Sequence, residues 1–160
     1  MKNKMDMNNS GYEIILLKFN RLLTKIVAMD KKLTFNVGGF DIRSTDIHLI
    51  DTIGRFPNAN VTEIAKHLGV TKGAVSQKLT VLEKKGFLRR YKDSTNAKEV
   101  IVDLTDLGWE AFRFHENHHQ QVDGEIFKFL AASSQENIDF LEELMDIFDH
   151  MMNRYLDQIK

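Results

Sequence analysis

Two groups of residues in this sequence could do chemistry. The first is histidine. The run FHENHHQQ, residues 114–121, holds three of the chain's six histidines, and cysteine is absent throughout. On a helix, His115 and His119 stand one turn apart on one face and can share a metal ion. His118, three residues from His115, could replace His119. With no thiolate available, the fitting ion is one satisfied by imidazole and carboxylate, such as Zn²⁺. A metal-dependent hydrolase could use the same cluster if it kept an open coordination position and a placed base, for which Glu116 is the candidate. Nothing around the run points to a substrate pocket. His67 and His150 stand apart and read as solvated.

The second group lies in VTKGAVSQKLTVLEKKG, residues 70–86. Val75, Leu79 and Leu82 recur at gaps of four and three and would hold one face of a helix on a core. The opening turns are nearly free of bulk. Gly73 and Ala74 would let the backbone approach another molecule closely. Thr71, Ser76 and Gln77 offer hydroxyl and amide groups, and Lys72 and Lys78 add positive charge. Those groups suit phosphates and base edges. Arg89, Arg90, Lys92 and Lys98 follow within the next twenty residues and extend the basic character.

The elements that must position these groups can be read from periodicity. Ser10 can cap a first helix running to about Met29. Asn36–Phe40 (NVGGF) breaks it. Ser44 or Thr45 can cap the next helix, whose apolar set is Ile47, Leu49, Ile50 and Ile53. After FPNAN, a short helix starts at Thr62 and ends at Gly69, and Thr71 caps the helix quoted above. The period then changes to two, with strands expected over Phe87–Tyr91 and Val100–Leu104. Thr105 opens a long helix expected to reach about Ala132. Ser133 or Ser134 caps the last helix. Two short helices on a tight turn, followed by a basic hairpin, make a winged helix-turn-helix, whose second helix reads DNA through its N-terminal residues. The fold class expected is mainly α with a small β-hairpin wing.

Composition bounds the function further. The lack of cysteine excludes disulfides, thiolate metal sites and cysteine nucleophiles. No apolar run approaches the roughly 20 residues of a membrane span, and the polar N-terminus lacks the centre of a signal peptide, so a cytoplasmic protein without a membrane partner is expected. The net charge of −1 conceals an uneven layout. Residues 61–100 hold nine Lys/Arg against four Asp/Glu, whereas residues 101–160 hold four against thirteen. A basic middle beside an acidic tail suits contact with a polyanion through the middle alone. The helical flanks carry apolar stripes too large for one lobe to cover, which points to pairing with a second chain.

From about Thr45 to Gly108 the sequence resembles the MarR family of transcription regulators. The resemblance rests on VTEIAKHLGVTKGAVSQKLTVLEKKGFLRR and VDLTDLG. It implies a single MarR-like domain over residues 1–160. A winged helix-turn-helix lobe would occupy residues 45–105, and a helical dimerisation region residues 10–30 and 106–160. It further implies a homodimer that binds a pseudo-palindromic double-stranded DNA operator, as a repressor and not an enzyme. The family's wing motif D-x-R-D-x-R is altered here to Asp93-Ser94-Thr95-Asn96-Ala97-Lys98. Lys98 stands where the last arginine would be, as a point charge without a guanidinium fork. Zinc-responsive members of the family set a histidine of the second helix beside a His-x-x-x-His pair after the wing. His48, His115 and His119 fall at those positions, and Asp30 lies near their acidic ligand, implying no required cofactor but a regulatory Zn²⁺. Other members bind aromatic or lipophilic small ligands, and Phe19, Phe40, Phe112 and Phe114 could line such a pocket. A protein-interaction module using the acidic helices alone is a further reading, one that requires no DNA affinity.

Overall fold

The computed structural model describes residues 10–30, 32–92 and 100–159. They form two compact units, one ending at His115 and one starting at Glu116.

The first unit opens with α1 (Ser10–Asp30). The segment expected as a plain break is instead a hairpin, β1 (Thr34–Val37) and β2 (Phe40–Arg43), with Phe35 opposite Ile42 and Val37 opposite Phe40. Gly38 and Gly39 both have positive φ, 58° and 80°. A two-residue turn whose twist matches the strands needs that geometry, and glycine adopts it without strain. Phe35, Val37 and Ile42 point into the core.

Helix α2 (Ser44–Arg55) follows at once, so its N-cap is Arg43 and not Ser44 or Thr45. The Ser44 N–H is taken up by the Leu33 carbonyl at 3.1 Å. Helix α3 (Val61–His67) is opened by Asn60 rather than Thr62. The Thr62 and Glu63 N–H groups donate to Asn60 Oδ1 at 2.9 and 3.0 Å, and the Asn60 N–H donates to Glu63 Oε2 at 2.9 Å. This reciprocal cap satisfies donors that the helix leaves open. Helix α4 (Lys72–Lys84) has Thr71 as its cap, and β3 (Leu88–Lys92) pairs antiparallel with β4 (Val100–Leu104). Ile47, Leu49 and Ile50 of α2, Ile64 of α3, Val75, Leu79 and Leu82 of α4, and Phe87 and Val102 close the core.

Helix α5 (Asp106–Val122) starts in the first unit. Thr105 secures its start: its hydroxyl donates to the Gly86 carbonyl at 2.5 Å and accepts from the Gly108 N–H at 3.2 Å. The single long helix expected to Ala132 is broken at Asp123, and α6 (Gly124–Ala131) follows. Helix α7 (Gln135–Gln158) is capped by Ser134, which accepts from the Asn137 N–H. No residue of α6 or α7 is buried, and Phe127, Phe129, Phe140 and Tyr155 are all more than half exposed. In the first unit, α1 likewise leaves Ile14, Leu17, Leu22 and Ile26 exposed. Among the described residues no helix is long and apolar enough to cross a membrane.

Candidate nucleic-acid interface and metal centre

Helix α4 meets the core through Val75, Leu79 and Leu82, which turns Gly73, Gln77, Val81 and Lys84 outward along one stripe. Lys72 is exposed beside it, while Ala74 and Ser76 are half-buried on its flank. The Thr71 hydroxyl accepts from the Ala74 N–H at 3.2 Å and so caps α4. A side chain at Gly73 would meet nothing within 4 Å. Glycine is therefore not required there by the fold.

Several of the expected phosphate-binding cations are engaged within the chain. Lys78 Nζ donates to Thr45 Oγ1 at 2.7 Å and to Asp46 Oδ1 at 2.5 Å. Arg89 pairs across the hairpin with Asp103 at 2.7 Å. Arg90 donates through Nε to Glu83 Oε2 at 2.9 Å, and its terminal nitrogen meets the same carboxylate. That contact first, and despite some burial, holds the Glu83 carboxyl below its usual range. Lys92 is exposed at the end of β3. Lys98 and the altered wing run Asp93–Lys98 lie outside the described residues.

The histidines lie on α2 and α5. His115 is buried, with its ring 5.1 Å from that of His48 and edge-on to Phe35. His119 follows one turn along α5, and the three rings can each offer a nitrogen within 4.8 Å of the others. Asp30, at the end of α1, is not in this group. The carboxylate that does stand at the cluster is Asp51, whose Oδ1 faces His115 Nδ1 at 3.4 Å while Oδ2 takes the Arg55 Nε–H at 2.8 Å. Burial alone would raise the Asp51 carboxyl; His115 and then Arg55 outweigh it and bring the pKa to about 2. With Nδ1 turned toward Asp51, Nε2 is the nitrogen that would hold a metal, the usual arrangement of a ligating histidine. Asp51 sits three residues after His48, a spacing that places both on one side of α2 and is legible in the sequence. His118 does not join the group, and His119 also contacts Asp123.

Because the folded pKa of Asp51 lies below its ordinary value of 3.8, its stabilising contribution is complete above that pH and disappears as pH falls through about 2. In chelator, Asp51→Asn is expected to lower unfolding free energy by on the order of 2 kcal/mol at pH 6. Denaturant titrations at descending pH should show that gap closing between pH 4 and 2. A gap independent of pH would contradict the assignment.

Three of the aromatic residues expected to line a ligand pocket make ring contacts within the chain. Phe40 lies edge-on to Phe87 at 5.7 Å, Phe114 to Phe35 at 5.8 Å and Phe112 to Trp109 at 5.3 Å. Phe19 is half-buried on α1.

Residues 42–100 match the MarR family model. Over that segment the chain is similar to the MarR family. Its MarR segment therefore begins in β2 and ends at the start of β4, taking in α2, α3, α4 and β3. Among similar proteins is the HTH-type transcriptional regulator YhjH of Bacillus subtilis, 36% identical over 100 residues, which are 62% of this chain and 57% of that one. The chain thus spans less than two thirds of the length of the Bacillus relatives it matches. Among solved structures, Streptococcus pneumoniae FabT in complex with DNA is similar with a TM-score of 0.63 and 25% identity, over 93% of this chain and 99% of that one. The zinc-responsive MarR family member ZitR of Lactococcus lactis shares the fold, with a TM-score of 0.62 and 12% identity over 89% and 99% of the chains. These MarR neighbours agree with the winged-helix fold class.

Proposed function

We propose that this chain is a transcription regulator, not an enzyme, that binds double-stranded DNA sequence-specifically as a homodimer and represses. The observation that carries the reading is the exposed Gly73–Gln77–Val81 stripe of α4, beside a hairpin that continues the basic segment. An amide at Gln77 can pair with a base edge, and the bare backbone at Gly73 allows close approach. The names of YhjH, a transcriptional regulator, and of FabT, solved on DNA, support it. The uncovered apolar sides of α1, α6 and α7 support pairing with a second copy, because exposed patches of that size are otherwise a liability. Two copies would read a pseudo-palindrome with their α4 helices about 34–36 Å apart, one turn of the duplex.

We also propose a regulatory Zn²⁺ held by His48, His115 and His119. The three nitrogen donors suit zinc, Asp51 faces His115, and ZitR, a zinc-responsive MarR family member, shares the fold. Bound there, zinc would supply a cross-link between α2 and α5.

The test is retention of a random duplex at low salt, followed by selection of a preferred duplex from a random pool. Binding should fall linearly with log salt, and the preferred duplex should be two-fold symmetric. A chain that stays monomeric at micromolar concentration and retains no duplex overturns the proposal. Gly73→Ala separates function from folding by sign. It should raise stability by roughly 0.5–1 kcal/mol, because alanine is the better helix former and has room. On the preferred duplex it should cost about tenfold, or 1.4 kcal/mol, because the methyl stands where backbone meets DNA. Thermal melts and anisotropy titrations check both arms.

A further inference from the structure

Lys78 follows Gln77 on α4 but does not share its exposure. Its ammonium lies between the Thr45 hydroxyl at 2.7 Å and the Asp46 carboxylate at 2.5 Å, in the first turn of α2. The Asp46 side chain is 17% exposed and that of Lys78 35%. About two turns further, at the C-cap of α4, Lys85 Nζ donates to the Asp41 carbonyl at 3.1 Å. Both ties join the same side of α4 to the segment β2–α2. Together with Gln77, Arg43 and Val81, these groups line one groove beside α4.

Apolar contacts through Val75, Leu79 and Leu82 hold α4 against the core, but they are non-directional and set its rotation about the axis only coarsely. A directional ion pair with a second acceptor at a fixed place resists rotation. We propose that Lys78, held by Asp46 and Thr45, is a positioning residue that fixes the rotation of α4 and so the direction in which Gln77 faces DNA. Lys78 then acts through Gln77 and makes no phosphate contact of its own. The inference rests on the DNA-binding reading above.

The two roles of Lys78 give opposite signs for one substitution. If Lys78 holds phosphate, Asp46→Asn removes a competing carboxylate and tightens DNA binding. If Lys78 is a brace, Asp46→Asn breaks the brace and loosens specific binding. The experiment compares wild type, Asp46→Asn, Lys78→Met and the double variant on the duplex selected by the wild type and on random duplex, over a series of salt concentrations. The expected result is a loss of about fivefold to tenfold on the selected duplex in each single variant, with the double no worse, as coupled groups behave. In the double variant, whose net charge is that of the wild type, random duplex should be bound as by the wild type, with the slope of log K against log salt unchanged.

Tighter binding by Asp46→Asn overturns the inference, as does a slope lowered by about 0.9 in Lys78→Met, the signature of one lost phosphate contact. Thr45→Val, which removes a single acceptor, serves if a charge variant does not fold. It should give a smaller loss at constant slope, and unchanged affinity counts against the brace. A wild-type chain that binds neither duplex overturns the DNA-binding reading and the inference with it; wild-type binding with the wrong sign at Asp46 overturns the inference alone.

Discussion

Gly108→Ala should cost at least about 3 kcal/mol of stability, the upper range for overpacking a closed site. A Cβ at this position would fall inside the van der Waals envelope of the Phe87 carbonyl oxygen and 3.1 Å from Leu104 Cβ. Neither neighbour can yield. Phe87 is fully buried, and its carbonyl already accepts from the Thr105 N–H at 3.1 Å. The obstacle is backbone, so no side-chain rotation relieves it. For a chain of this size the loss corresponds to roughly 10 °C in melting temperature. Gly124→Ala is the control, since a Cβ there meets nothing within 4 Å. Equal melting temperatures for Gly108→Ala and wild type would show that the start of α5 is not held against the exit of α4.

Zinc should tighten binding to the selected duplex by about 10- to 100-fold over chelator, the span of ordinary coupling energies. His48 lies on α2, the helix that braces Lys78 of α4, whereas His115 and His119 lie on α5. Holding one ion fixes these helices to each other, and DNA affinity changes only insofar as the DNA-competent form binds the ion better. His119→Ala, at a half-exposed position, should abolish the zinc effect and leave affinity in chelator near that of the wild type. Acid should weaken the effect, because imidazole must be neutral to ligate. Anisotropy titrations with zinc and with chelator decide the matter. Identical affinities in the two conditions would reduce the histidines to an ordinary packed cluster.

The central helices were legible because their signals are local. Ile47, Leu49, Ile50 and Ile53, and Val75, Leu79 and Leu82, announce their buried faces by spacing alone, and all are in the core. The β1–β2 hairpin was legible in principle. Phe35, Val37, Phe40 and Ile42 alternate about Gly38-Gly39, but a glycine pair reads as a breaker unless the flanking period of two is weighed with it. The break at Asp123 carries no side-chain cap, and its local mark, the pair Asp123-Gly124, is set within apolar spacing that runs through it. The partners of the cations were hidden for a different reason. Asp46 and Lys78 are 32 residues apart and Arg89 and Asp103 are 14 apart, distances at which no periodicity speaks. A basic residue in a list of cations carries no mark of the carboxylate it will meet. Asp51 was the nearer miss, since its place beside His48 follows from helical spacing.

Those internal pairs bear on how such a protein would search a genome. At a distance of several ångströms a lysine or arginine closed on a carboxylate is felt as a dipole, not as a unit of charge. Lys78, Arg89 and Arg90 therefore contribute little to the long-range pull that holds a protein on DNA of arbitrary sequence. With that pull reduced, encounters with the wrong sequence would be brief, and the search would proceed by short contacts and returns to solution rather than by long one-dimensional slides.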